Sequence, residues 1–141
     1  MPRLRHPSDN TPARLSDGAL AALLPHGRVL VCLDYDGTIS AITADVANAR
    51  PAAGAREVIA RLARDAQRAT VAVISGRSVA EVCRLLGIES GILFAGVHGL
   101  ELMGADGSLE VSEHARAAKP DLERVRRWLS AAVDASDGYL I

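Results

Sequence analysis

Asp34 and Asp36 stand two residues apart in Leu33-Asp34-Tyr35-Asp36-Gly37-Thr38, directly after the apolar run Val29-Leu30-Val31-Cys32. Side chains two apart on an extended segment project to the same side, so both carboxylates face one site while Tyr35 points away. Like charges that close repel, and a small hard cation that prefers oxygen ligands relieves the repulsion. Gly37 lets the chain turn out of a strand, and Thr38 adds an amide and a hydroxyl that can face an anion. Asp-Gly alone is a common turn signal. Asp-x-Asp-Gly-Thr directly after a strand reads instead as a functional site.

Two further clusters also follow apolar runs. Ser75-Gly76-Arg77 comes after Thr70-Val71-Ala72-Val73-Ile74 and opens onto a helical pattern. A phosphate there would meet a hydroxyl, exposed amides and the positive end of a helix. Taken alone, Ser75 or Ser78 is an N-cap; beside Asp-x-Asp, a phosphate-holding role for Ser75 and Gly76 is favoured. Arg77 fits a bidentate contact to phosphate or hydroxyl, and equally a solvated residue at a helix start. Gly96-x-His98-Gly99-x-Glu101 follows Ile92-Leu93-Phe94-Ala95. A neutral His and a carboxylate near glycine-lined backbone suit hydrogen bonding to sugar hydroxyls; by themselves they read as a turn His and a strand Glu. No Cys or second His is near enough in sequence to make His98 a zinc ligand.

These clusters need strands to carry them. Arg28 to Asp34, Thr70 to Ile74 and Ile92 to Ala95 are apolar without alternation, the pattern of parallel strands buried on both faces. Between them, Val58, Ile59, Leu62 and Ala66 follow helical spacing in a helix opened by Pro51, and Ser78 starts a second helix closed by Gly87. Strand, helix, strand, helix, strand favours an α/β doubly wound parallel sheet, whose carboxyl edge is where ligands bind. Ile39 to Arg50 is weakly patterned and is expected to form a flap beside the acidic site. Leu100–Met103 and Leu109–Val111 flank Gly104-Ala105-Asp106-Gly107 as a β-hairpin. Pro120 is expected to open an amphipathic helix with Leu122, Val125, Trp128, Leu129 and Val133 on its core face. Residues 1–15 read as a loose tail, and 16–141 as one α/β unit in which Ser16 caps a short helix from Asp17 to Leu24.

The 141 residues suffice for one ordinary domain with a real core. Apolar residues make up 49% but aromatics only 3%, so the core must be Leu, Val, Ile and Ala. A net charge of −1, with no basic patch, argues against nucleic acid or an anionic membrane as partner. Cys32 and Cys83 are expected as core thiols in a reducing compartment, hence a cytoplasmic protein. No apolar run approaches membrane-spanning length, and Met1-Pro2-Arg3-Leu4-Arg5-His6-Pro7 lacks a signal peptide's apolar segment. Oligomeric state is left open.

Asp-Tyr-Asp-Gly-Thr resembles the first motif of the haloacid dehalogenase superfamily of phosphotransferases. With Ile-Ser-Gly-Arg-Ser and Ala-Gly-x-His-Gly-x-Glu in this order, residues from Val29 to Ile141 resemble the trehalose-6-phosphate phosphatase family within it. Val97 stands where that family often carries Asn or Ser. The resemblance implies that Asp34 attacks the phosphoryl group and becomes an aspartyl phosphate. It implies that Asp36 protonates the leaving oxygen and then activates water. Mg²⁺ would sit at Asp34 and Asp36, phosphate would be held by Thr38, Ser75 and Gly76, and a sugar phosphate by Arg77, His98 and Glu101. The family also uses a bridging Lys, a late acidic motif and a cap domain. Lys119, the only lysine, matches no such motif. Asp137-Gly138-Tyr139-Leu140-Ile141 resembles the start of the cap. The expectation is therefore a partial phosphatase core, its cap essentially missing and its activity alone negligible. Alternatives are a phosphatase for another sugar phosphate, or a non-catalytic remnant.

Overall fold

The computed structural model describes residues 27–133. Five strands form one sheet in chain order: β1 (Val29–Asp34), β2 (Ala69–Ile74), β3 (Leu93–Gly96), β4 (Glu101–Met103) and β5 (Leu109–Val111). β1, β2 and β3 are parallel, and β4 and β5 add the expected antiparallel hairpin. The α/β, parallel-dominated architecture is as expected. Asp34 pairs with Ile74, Ile74 with Ala95, and Gly96 with Glu101. This register brings all three chemistry-bearing clusters to one sheet edge.

Helix α1 (Ala55–Arg64) joins β1 to β2, and α2 (Val79–Leu86) joins β2 to β3. α1 starts later than Pro51 because Pro51 is held extended in a bridge to Ser40 and Gly54 takes a left-handed conformation before the first turn. α2 begins as expected at Ser78, which accepts from the Glu81 amide while Glu81 accepts from the Ser78 amide; left-handed Gly87 ends it. Parallel crossovers are right-handed, so two that step the same way across a sheet put both helices on one face. Ile59 of α1 and Val79, Val82 and Leu86 of α2 accordingly join Val71, Val73 and Phe94 in a single core.

The opposite face is open. Leu30 is 61% exposed, Ile74 43% and Leu102 51%, and Cys32 is exposed as well. β1 was expected to be buried on both faces; its exposure instead alternates residue by residue, because residues 27–133 supply no second helical layer. Cys32 is thus not a core thiol. Cys83 is half-buried, and that burial pushes its thiol pKa up.

Helix α3 (Glu113–Ala132) departs further from expectation. Ser112 accepts from the Ala115 amide and starts the helix well before Pro120, which lies inside it. Pro120 costs one intrahelical bond without ending the helix. The face expected to be core is exposed, with Trp128 68% and Leu122 64% accessible. The N-terminal tail, the helix from Asp17 to Leu24 and the segment from Asp137 to Ile141 lie outside the described residues.

Candidate active site

Tyr35 organises the turn that follows β1. It is fully buried and donates its hydroxyl to the Ala49 carbonyl at 2.8 Å. Its own carbonyl accepts from the Ile39 and Ser40 amides at 3.0 and 2.9 Å. Anchored this way, it leaves Asp34 and Asp36 exposed, as the period-two alternation requires. Gly37, at φ 90°, donates to the Ser40 carbonyl, a conformation that costs glycine least. Thr38 lies exposed in the same turn.

Asp36 meets Arg77 in a planar fork. Nε and Nη2 of Arg77 donate to the two carboxylate oxygens at 2.7 and 2.8 Å, and Nη1 donates to the Val46 carbonyl at 2.7 Å. The Arg77 side chain is only 9% exposed, with its guanidinium 5.7 Å from the Tyr35 ring centroid. Hydrogen bonding from Arg77 holds the Asp36 carboxyl below its usual range, and the same bond raises the Arg77 pKa. Arg77 is thus not a solvated helix-start residue; it ties Asp36 to the flap. The flap itself turns through one 3-10 helix (Val46–Asn48), and Arg84 also reaches it, donating to the Ala47 carbonyl at 3.1 Å. Asp36, Ile42, Thr43, Val46, Gly76 and Arg77 line a shallow cleft at this edge.

Ser75 is 4% exposed, and its Oγ accepts from the Arg77 amide at 3.1 Å. Because Ser78 caps α2, the cap explanation for Ser75 falls away. The His98 imidazole lies over Gly76 so closely that a Cβ there would meet Cε1 and Nε2 at 2.9 Å. Glu101 is placed differently from a simple sugar ligand: Oε2 accepts from the Val79 amide at 2.8 Å, at the first turn of α2.

Residues 32–141, more than half of the chain, match the family model for trehalose-phosphatase. The chain belongs to the trehalose-phosphatase family. The trehalose-phosphate phosphatase of Mycobacterium avium (strain 104) is 41% identical over 111 residues, covering 79% of this chain and 27% of the relative. That of Mycobacterium ulcerans (strain Agy99) is 36% identical over 137 residues, covering 94% of this chain and 34% of the relative. Among solved structures, a trehalose-6-phosphate phosphatase related protein aligns with TM-score 0.61 at 25% identity, over 73% of this chain and 44% of that one. The chain therefore spans about a third or less of the length of these curated relatives.

At this edge the donors for a metal are few among the described residues. Among the described residues, no three His, Cys, Asp or Glu side chains cluster to hold an ion. Both Asp36 carboxylate oxygens are taken by Arg77. The Asp34 carboxylate and the Asp36 backbone carbonyl are hard oxygen donors of the type Mg²⁺ takes, and Mg²⁺ commonly keeps several waters beside one or two protein ligands. The donor chemistry fits; the number of protein ligands makes for weak binding.

Sequence reasoning missed three participants: the Val46 carbonyl, Arg84 and the Tyr35 ring as a floor for Arg77. A backbone carbonyl in an unpatterned loop leaves no sequence signal. Arg84 left only its place in the last turn of α2, and nothing local to it indicates a contact with a loop 37 residues away.

Proposed function

We propose that this chain carries the nucleophile and phosphate-holding part of a phosphomonoesterase that converts trehalose 6-phosphate to trehalose. The observation that carries the reading is the register that sets Asp34, the Ser75–Arg77 loop and the Gly96–Glu101 turn along one sheet edge. An Asp34 carboxylate oxygen attacks phosphorus, the bond to the sugar oxygen breaks, and Asp36 supplies the proton that the departing oxygen needs. Water then attacks the aspartyl phosphate as Asp36 takes its proton, releasing inorganic phosphate and restoring Asp34.

The Arg77 fork keeps Asp36 ionised, the state from which it takes a proton from water, while the same hydrogen bond makes it a weaker base. Protonating Asp36 for the first half requires loosening that fork. Ser75 Oγ and the Thr38 amide and hydroxyl hold phosphate oxygens, Gly76 lets the phosphate approach the backbone, and His98 faces a sugar hydroxyl. When bound, Mg²⁺ offsets the negative charge on the phosphoryl oxygens, held by the Asp34 carboxylate and the Asp36 carbonyl. A cytoplasmic setting is supported by two free thiols, Cys32 and Cys83.

Beryllium fluoride, a phosphoryl mimic, tests the nucleophile by ¹⁹F NMR. The chain should give a Mg²⁺-dependent bound signal that Asp34→Asn abolishes. A signal that survives in Asp34→Asn overturns the assignment. Phosphate release by a full-length relative from trehalose 6-phosphate, compared with sucrose and mannosyl phosphates, tests the sugar.

A further inference from the structure

The Gly96–Glu101 turn grips the loop beside it at four points. The Val97 amide donates to the Arg77 carbonyl at 2.8 Å, and the His98 amide donates to the Ser75 carbonyl at 3.2 Å. Glu101 Oε2 accepts from the Val79 amide at 2.8 Å. Gly96 packs so tightly that a Cβ would lie 2.6 Å from the Val79 nitrogen and 2.9 Å from the Arg77 oxygen. The backbone that carries these two amides takes positive φ at Val97 (48°) and His98 (54°). For β-branched Val97 this is a true outlier, and such a conformation persists only where its surroundings over-determine it.

We infer that Glu101 is a positioning residue: through the Val79 amide it fixes the Ser75–Val79 loop in its anion-holding shape, rather than serving chiefly as a sugar ligand. The Val79 amide is one of the first-turn donors that a helix cannot satisfy internally. The Ser78 hydroxyl serves the Glu81 amide, so Glu101 reaches across from β4 to serve Val79. Its negative charge at the positive end of α2 adds to the hold. Without it, Val79 would turn to water and the Arg77–Ser78 peptides would lose their fixed direction. The inference rests on the phosphatase reading for the identity of the anion, whereas the grip itself is independent of that reading.

The test compares Glu101→Ala with Glu101→Gln in the full chain. Gln keeps an acceptor oxygen and should rescue most of what Ala loses. Amide hydrogen exchange reads the grip, with the Val82 amide, which donates to the Ser78 carbonyl within α2, as the internal reference. Glu101→Ala should speed exchange at Val79 about tenfold or more relative to Val82, the equivalent of one hydrogen bond to a charged group. Titration with inorganic phosphate, followed at the Ser75, Gly76 and Arg77 amides, reads the function. Affinity should fall about tenfold in Glu101→Ala and stay within about threefold of the parent in Glu101→Gln. Unchanged exchange at Val79 in Glu101→Ala overturns the inference. So does exchange that rises equally at Val79 and Val82, or a loss of phosphate affinity that Gln does not rescue. If the parent chain shows no phosphate-dependent shifts, the phosphate reading of this loop falls, while the exchange ratio still decides the grip.

Discussion

The carboxyl edge of the sheet and its open face are made by the same strands, yet they are finished to different degrees. At the edge, Asp36, Arg77, Ser75, Val79, His98 and Glu101 are joined by hydrogen bonds of 2.7–3.2 Å to each other or to nearby carbonyls and amides. On the face, Leu30, Ile74 and Leu102 are left substantially in water, and α3 leaves Trp128 exposed too. Directional polar contacts can be completed by loops a few residues long that meet at one point. Burial of apolar surface needs a whole packing layer, and residues 27–133 supply only one. Apolar surface left this open commonly marks a contact face or an aggregation liability.

If the edge is held as tightly as its contacts imply, Gly96→Ala should be the most damaging single methyl. The added carbon meets backbone atoms of Val79 and Arg77 that cannot swing aside. A loss of about 3 kcal/mol is expected, the upper end of overpacking costs, read from urea denaturation midpoints. A loss below about 0.5 kcal/mol, the range of surface substitutions, would show that the edge yields and would weaken the contrast with the open face.

Arg77→Met should come next, at about 1–2 kcal/mol, discounted because the Asp36 side of the pair is 41% exposed. The effect should depend on pH. Arg77 holds the Asp36 carboxyl below its ordinary value of 3.8, so the contribution is full above that value. It is lost as pH falls through the lowered value of the folded state. The stability gap between parent and Arg77→Met should therefore be steady near neutral pH and narrow in acid below 3.8. A gap that widens in acid would contradict the fork. Hydrogen exchange around Val46–Asn48 should rise in the same variant, because the flap loses one of its two arginine ties.

Val97→Asn should act in the opposite direction. Asn tolerates positive φ where Val does not, and relieving that strain should stabilise the chain by about 1 kcal/mol, seen as a higher denaturation midpoint. A destabilised Val97→Asn would mean that the half-buried isopropyl group contributes more than the backbone strain costs.

On the open face, Leu30→Ser should change stability by no more than about 0.5 kcal/mol, as expected for a residue 61% exposed. Self-association, followed by sedimentation velocity, should fall as apolar surface is removed. A large loss of stability would show that this face is covered after all.

Much of the site could be read directly from the chain because strand ends and turns announce themselves locally. Asp34, Asp36 and buried Tyr35 follow from two-residue alternation. Ser78, Glu81 and Gly87 mark the ends of α2 by capping chemistry that acts within four residues. The order of strands and helices specified the parallel-dominated sheet, and hence which edge the clusters share.

Other features depended on neighbours remote in sequence. Arg77 is 41 residues from Asp36, and nothing local to either favours the fork over a phosphate contact or a solvated side chain. Glu101 finds the Val79 amide only because β3 and β4 pair where they do. The apolar runs of β1 and α3 encode a capacity for burial, and no residue within them determines what lies opposite. Local bonding is written into neighbouring residues, whereas burial requires a second surface, and only the tertiary structure decided which faces received one.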